Sequence, residues 1–252
     1  MAIPQPLDTN TLVRATCPAP KRGEHVRIAI DLDSTLINYT ALCTAAALLL
    51  DIDCTPTATL DDYYLYPSIF TDKEDFLEAH NVVMTYAARH PLMDETAPQA
   101  IRRLRAAGHQ VDILTSRERT PHMESSLIVW CAHHNITVDD VVFASDKSAT
   151  DDYDIIFDDA PHHLEAITAA GHTLAVRKPW PFNAHMEHIP AAPDCATLAD
   201  WIIMQQKHTS RAHDIAKQQQ PRTQRSTQRS THRGSRRRAT RAAGAPRTST
   251  SV

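Results

Sequence analysis

No two cysteines in this 252-residue chain have CxxC spacing. The five, at positions 17, 43, 54, 131 and 195, are odd in number and scattered. That excludes a disulfide framework and points to reduced thiols in a cytosol. The fifteen histidines are equally dispersed, with neither HExxH nor Cys/His zinc spacing among them. The first twenty residues carry Pro4, Pro6, Pro18 and Pro20 and no apolar core of a secretory signal. The longest apolar stretch, around Ala45 to Leu50, falls far below the ~20 residues that span a bilayer. A soluble, cytoplasmic protein without membrane contact is therefore expected. Glycine is scarce, at 5 residues, while proline reaches 16.

What is present suffices for a packed core: 42% of the residues are hydrophobic, enough for one medium domain or two small ones. Charge is divided unevenly. Residues 207–252 hold two Lys and ten Arg against the single acid Asp214, a net +11, which leaves −15 on residues 1–206. An acidic body and a basic tail are two physical objects on one chain.

Residues 1–24 read as a flexible, proline-punctuated arm. Residues 25–205 alternate two patterns. Short Val/Ile-rich runs at Val26–Ile30, His109–Leu114, Val141–Ala144, Asp154–Phe157 and His172–Val176 suit buried parallel strands. Between them, Pro98–Ala107, Pro121–His134, His162–Ala170 and Ala196–Gln205 have helical patterning, and Gly108 and Gly171 fall where helix caps lead into strands. The alternation predicts a doubly wound, Rossmann-like α/β fold with a parallel sheet. From Ile37 to about Leu92 strands are missing and two helical stretches, Ala41–Leu50 and Asp72–Arg89, flank Tyr63, Tyr64, Tyr66 and Phe70. This predicts a small helical cap inserted after the first strand. The aromatics could stack a nucleobase or form the cap's own core. Beyond 205, apolar residues nearly vanish and a four-residue quasi-repeat begins at Gln224, so residues 206–252 are expected to be disordered.

Four short motifs follow predicted strands: Asp31-Leu-Asp33-Ser-Thr35, Leu114-Thr115-Ser116-Arg117, Ser145-Asp146-Lys147-Ser148 and Phe157-Asp158-Asp159. The C-terminal edge of a parallel sheet is where open α/β folds bind ligands. Asp31, Asp33 and Asp158 together form a hard-oxygen set suited to Mg²⁺, with Asp159 behind them or capping the next helix. Lys147 would offset the carboxylate repulsion. Thr115, Ser116 and Lys147 can bind a phosphate. Asp31 can attack phosphorus, and Asp33 can protonate the leaving oxygen and then deprotonate a water. Arg117 could contact substrate or pair with the acidic face. His133, His134, His162 and His163 read as surface or helix-end residues.

These motifs resemble the haloacid dehalogenase (HAD) superfamily of phosphatases over about residues 25–180. Within it, Ile113-Leu-Thr-Ser-Arg117, the Asp-Lys-Ser run ahead of Asp158-Asp159, and Arg177-Lys-Pro-Trp-Pro-Phe-Asn183 are most similar to the 5′(3′)-deoxyribonucleotidases. The chain departs from them at Ser34, where they commonly have glycine, and within the Arg177–Asn183 segment. The resemblance implies a Mg²⁺-dependent phosphatase acting on nucleoside monophosphates. Asp31 would be the nucleophile and Asp33 the acid/base. Asp31, the Asp33 carbonyl and Asp158 would hold the metal, and Arg117, Arg177 and Trp180 are candidate substrate contacts. The alternatives are a phosphatase of nucleic-acid ends, with the tail making weak non-specific nucleic-acid contact, a phosphoprotein phosphatase, and a non-catalytic binding protein of the same fold.

Overall fold

A computed structural model of the chain describes residues 25–55, 63–85, 87–150 and 152–219, without the side chains of 67 and 208–219. The N-terminal arm, the quasi-repeat and the arginine-rich end lie outside the described residues.

Five parallel strands form one sheet in the order β3-β2-β1-β4-β5. They are β1 (Arg27–Ile30), β2 (Gln110–Thr115), β3 (Val141–Phe143), β4 (Ile155–Asp158) and β5 (Leu174–Arg177). Alternation along the strands divides the core in two. Ile28, Ile30, Val111, Ile113, Ile155 and Phe157 face one layer, while Ala29, Leu114, Ile156 and Ala175 face the other. The first layer is completed by helices α4 (Ala97–Ala106), α5 (Pro121–His133) and α7 (Cys195–Gln219) through Leu104, Trp130 and Leu198. The second is completed by α6 (Pro161–Ala170) through Leu164 and Ile167. Both faces are covered, as a parallel sheet requires, and the doubly wound fold is the one expected.

Gly108 and Gly171 take left-handed backbone at φ +93° and +74° and end α4 and α6 before the following strands. Strand ends run further than the sequence suggests. β2, β4 and β5 each include one polar residue past the expected run, because pairing continues through Thr115↔Phe143 and Asp158↔Arg177.

The segment after β1 forms the cap. Asn38 accepts a hydrogen bond from the Ala41 amide and starts α1 (Tyr39–Leu49). A one-turn helix, α2 (Leu65–Ser68), and α3 (Lys73–Thr85) follow. Cys43, Ala47, Leu65, Phe70, Ala79 and Val83 make a separate small core. An Ile37↔Leu92 bridge closes the insertion at its base.

The last helix is longer than the stretch Ala196–Gln205 read as helical. α7 reaches Gln219, well past the boundary expected at 205. Gln, Lys, Ala and Arg support helix whether or not they pack, and no glycine or proline interrupts the run before Pro221. The chain from His208 onward belongs to a unit distinct from residues 1–207.

Cysteines 43, 54, 131 and 195 are free thiols. Among the described residues no helix is long and apolar enough to cross a membrane.

Candidate active site

The strand order reverses at β1, whose neighbours are β2 and β4. The chain leaving β1 therefore enters the crevice at the sheet's C-terminal edge. The Asp31 amide donates to the Phe157 carbonyl at 2.8 Å, the last link between β1 and β4. The chain then turns sharply. The amides of Leu36 and Ile37 both donate to the Leu32 carbonyl, and the Ser34 amide donates to that of Ile37. Ser34 occupies the left-handed region at φ +59°, where glycine is favoured. Its carbonyl accepts from Trp180 Nε1 at 2.9 Å.

Carboxylate oxygens of Asp31, Asp158 and Asp159 lie within 4.8 Å of one another, all buried. Lys147, itself buried, donates to Asp31 Oδ1 and to Asp158 Oδ2, the latter at 2.7 Å. It is delivered by a 3₁₀ turn at Lys147–Ala149, which Asp146 caps by accepting from the Ser148 amide and hydroxyl. Asp158 also accepts from the Ala160 amide at 2.8 Å. Asp159 Oδ1 is 3.4 Å from Thr35 Oγ1, while Oδ2 is buried with no hydrogen-bond partner. The helix-capping alternative for Asp159 does not hold: Ala160 caps α6, without a side-chain hydrogen bond.

Burial raises Asp31 to about 7, with Asp158 adding to the rise and Lys147 opposing it. Burial also pushes Asp159 well above the usual carboxylate range, with the charges of Asp31 and Asp158 adding to it. At Asp158 burial is outweighed by Lys147 and His163, which hold the carboxyl below that range. One lysine cannot neutralise three buried carboxylates. An orphaned oxygen on Asp159, beside two carboxylates, is a donor set that a small divalent cation would satisfy. The residues present therefore fit a metal, which Asp31, Asp158 and Asp159 would hold.

Across the site, Arg117 is fully buried and grips Asp33 with two hydrogen bonds, Nε to Oδ2 at 2.8 Å and Nη2 to Oδ1 at 2.6 Å. Of the two roles open to Arg117, the structure displays pairing. Thr115 is buried, and its Oγ1 accepts from the Arg117 amide at 3.2 Å.

A cavity of about 350 Å³ opens over these groups. Asp31, Asp33, Ser116, Arg117, Asp158 and Asp159 form its floor. Thr115 and Lys147 lie behind that wall, outside the cavity lining. Cap residues Tyr39, Tyr63, Phe76 and His80 form the roof, and the Tyr39 hydroxyl is hydrogen-bonded to His80 Nδ1. The aromatic cluster expected in the cap is split. Tyr63 lines the cavity and meets Phe182 edge-on at 5.6 Å, whereas Phe70 is buried in the cap core.

Arg177 and Trp180 stand outside the lining. Arg177 donates to Asn183 Oδ1 at 3.1 Å, and buried Asn183 donates in turn to the Asp159 and Lys178 carbonyls. Trp180 stacks on Phe182. Their segment braces the loop beneath Asp159.

His163 lines the cavity and is buried, a helix-end residue but not a surface one. The sequence did offer a signal for it: α6 starts directly after Asp158-Asp159, so its first turn must lie at the same sheet edge. Tyr39 and His80 carried no comparable signal.

The chain matches no protein-family model and no curated protein sequence. Among its structural neighbours are HAD-superfamily hydrolases. One from Ehrlichia chaffeensis is 12% identical, with 71% of this chain and 96% of that one covered, at a TM-score of 0.46. A predicted phosphoglycolate phosphatase from Haemophilus somnus is 13% identical, with 70% and 97% covered, at 0.45. A β-phosphoglucomutase from Clostridium difficile is 10% identical, with 73% and 98% covered, at 0.44. Likenesses this distant carry no argument about chemistry or substrate, which rest on the site itself.

Proposed function

We propose that this protein is a Mg²⁺-dependent phosphatase of the HAD type that hydrolyses phosphate monoesters through an aspartyl-phosphate. The observation that carries this reading is Asp31, buried at the sheet edge beside Lys147 and the Asp158–Asp159 pair, with Asp33 in the same cavity floor. An Asp31 oxygen bonds to phosphorus while the ester P–O bond breaks, and the leaving alkoxide takes the proton of Asp33 in its carboxylic-acid form, which leaves the carboxylate that Arg117 grips. Water then attacks phosphorus, Asp33 takes the water's proton, and Asp31 and inorganic phosphate are released. Mg²⁺ held by Asp31, Asp158 and Asp159 would supply positive charge against the phosphoryl oxygens. Ser116 binds a phosphoryl oxygen, while Thr115 and Lys147 support the clamp from behind.

The preferred substrates are nucleoside monophosphates. Rings of Tyr39, Tyr63 and Phe76 in the cavity wall suit a flat aromatic group on the leaving alcohol. The test is a panel of phosphate esters, including all the monophosphates, with and without Mg²⁺. Mononucleotides should be turned over faster than glycerol phosphate or sugar phosphates, and only with the metal. Asp31→Asn should lose at least about a thousandfold in turnover. Hydrolysis undiminished by Asp31→Asn would overturn the phosphatase mechanism, and equal rates on all esters would overturn the nucleotide preference.

The charge division supports one partner besides the small substrate. The +11 of residues 207–252 suits weak, non-specific contact with nucleic acid.

A further inference from the structure

The cations of the site are largely committed. Arg117 spends its fork on Asp33, and Lys147 gives two of its three N–H donors to Asp31 and Asp158. Thr115 accepts from a backbone amide and lies outside the cavity lining. Of the side chains expected to bind phosphate, only Ser116 reaches the cavity wall. A phosphoryl group with three oxygens to satisfy needs more donors than that.

His163 stands next to Ser116. Its Nε2 lies 3.4 Å from Ser116 Oγ, and its Nδ1 lies 3.4 Å from Asp158 Oδ2. The first contact is at the outer limit of a hydrogen bond, and Nδ1 is buried with no hydrogen-bond partner. The residue is buried, with its side chain 11% exposed, and it forms part of the cavity wall. It is carried on the first turn of α6, whose N-terminal dipole favours an anion. The ring thus spans the gap between the metal-side carboxylate and the phosphate-side hydroxyl without being fully engaged by either.

We infer that His163 is a phosphate-binding residue: its Nε2 hydrogen-bonds a phosphoryl oxygen alongside Ser116, while Asp158 orients the ring from the Nδ1 side. This rests on the phosphatase reading above. None of the four motifs includes His163. It reaches the site because Pro161 starts a helix immediately after the last of them.

The experiment measures inorganic phosphate binding by calorimetry in Mg²⁺, alongside steady-state kinetics, for the full chain and three variants. His163→Phe keeps the ring and removes both nitrogens. His163→Gln places an amide near the Nε2 position, and His163→Asn places one near Nδ1. His163→Phe should weaken phosphate binding and raise KM about tenfold, the value of one hydrogen bond to a charged group. His163→Gln should recover most of that loss and His163→Asn little of it, with binding of Mg²⁺ alone changed less than twofold. Wild-type affinity in His163→Phe overturns the inference, as does Asn rescuing as well as Gln. A loss that tracks Mg²⁺ affinity also overturns it, because His163 would then act only through Asp158. Should His163→Phe fail to fold, the Gln and Asn comparison decides alone. A wild-type protein that binds no phosphate and hydrolyses no ester overturns the phosphatase reading instead.

Discussion

Ser34 sits at φ +59°, where a β-carbon crowds the backbone, inside the motif that carries Asp31 and Asp33. The turn is held from outside by Trp180 Nε1 on the Ser34 carbonyl, so its strain is borne by contacts made elsewhere. Ser34→Gly should therefore raise stability by about 0.5–1 kcal/mol, the left-handed penalty less the extra freedom of glycine in the unfolded chain. Urea unfolding checks this, and an unchanged or lower midpoint would count against strain at that turn. The Arg117–Asp33 pair sets a second expectation. A buried guanidinium facing a carboxylate that is 25% exposed leaves an unpaired charge when either partner is removed. Arg117→Met should cost about 2–4 kcal/mol of stability. It should also slow alkyl phosphates more than nitrophenyl phosphate, because only a poor leaving group needs a well-placed acid at Asp33. Equal slowing of both ester classes would detach Arg117 from the acid step.

The cap returns to the sheet through an element that titration can probe. The His90 carbonyl accepts from Trp130 Nε1 at 2.8 Å and from His134 Nε2 at 2.9 Å, tying the segment after α3 to α5. The His90 ring is buried, and burial, helped by the Arg117 charge, lowers it from 6.5 to about 4. The unfolded chain thus binds a proton that the folded one does not as pH falls through that window, so stability present above 6.5 is lost on the way down to about 4. His90→Gln should flatten this part of the profile, seen as a smaller drop in the urea midpoint between pH 7 and pH 4.5 than the wild type shows. Elements of this kind differ in how legibly the sequence announces them. The strand cores were readable because short β-branched runs such as Val111–Leu114 have few other uses. Their ends were not, since Thr115, Asp158 and Arg177 are polar residues just past the apolar runs yet continue the pairing. In the cap, α1 and α3 were readable by composition. The one-turn α2 was not, because Tyr66 inside it is extended at φ −100° and ψ 130° and only packing closes the turn. The carboxylates were legible as motifs after strands. The grip of Arg117 on Asp33 and the place of His163 beside Ser116 were not, because they join residues 84 and 47 positions apart.

Across the whole molecule, charge is the property that most divides the chain. Residues 220–252 contain nine arginines and no acid, while residues 1–206 carry −15. The candidate site lies entirely within residues 25–207, so the chemistry proposed for it should not depend on the arginines. Deleting residues 220–252 should leave turnover of small esters unchanged within about twofold, because the residues that line the site all come from earlier in the chain. Binding to a single-stranded oligonucleotide should respond differently. Each phosphate neutralised by an arginine releases a counterion, so affinity falls steeply as salt rises, with a log–log slope of about −0.7 per contact. The full chain should show such a slope between 50 and 200 mM salt, and the truncated chain should bind barely at all at either concentration. No aromatic residue lies among these arginines to stack a base, so affinity should vary little with oligonucleotide sequence. Equal binding by the two chains would place the contact on the acidic body, where a net charge of −15 opposes it, and would remove the tail from the function. Binding that is lost with the tail yet insensitive to salt would show that the contact is not electrostatic.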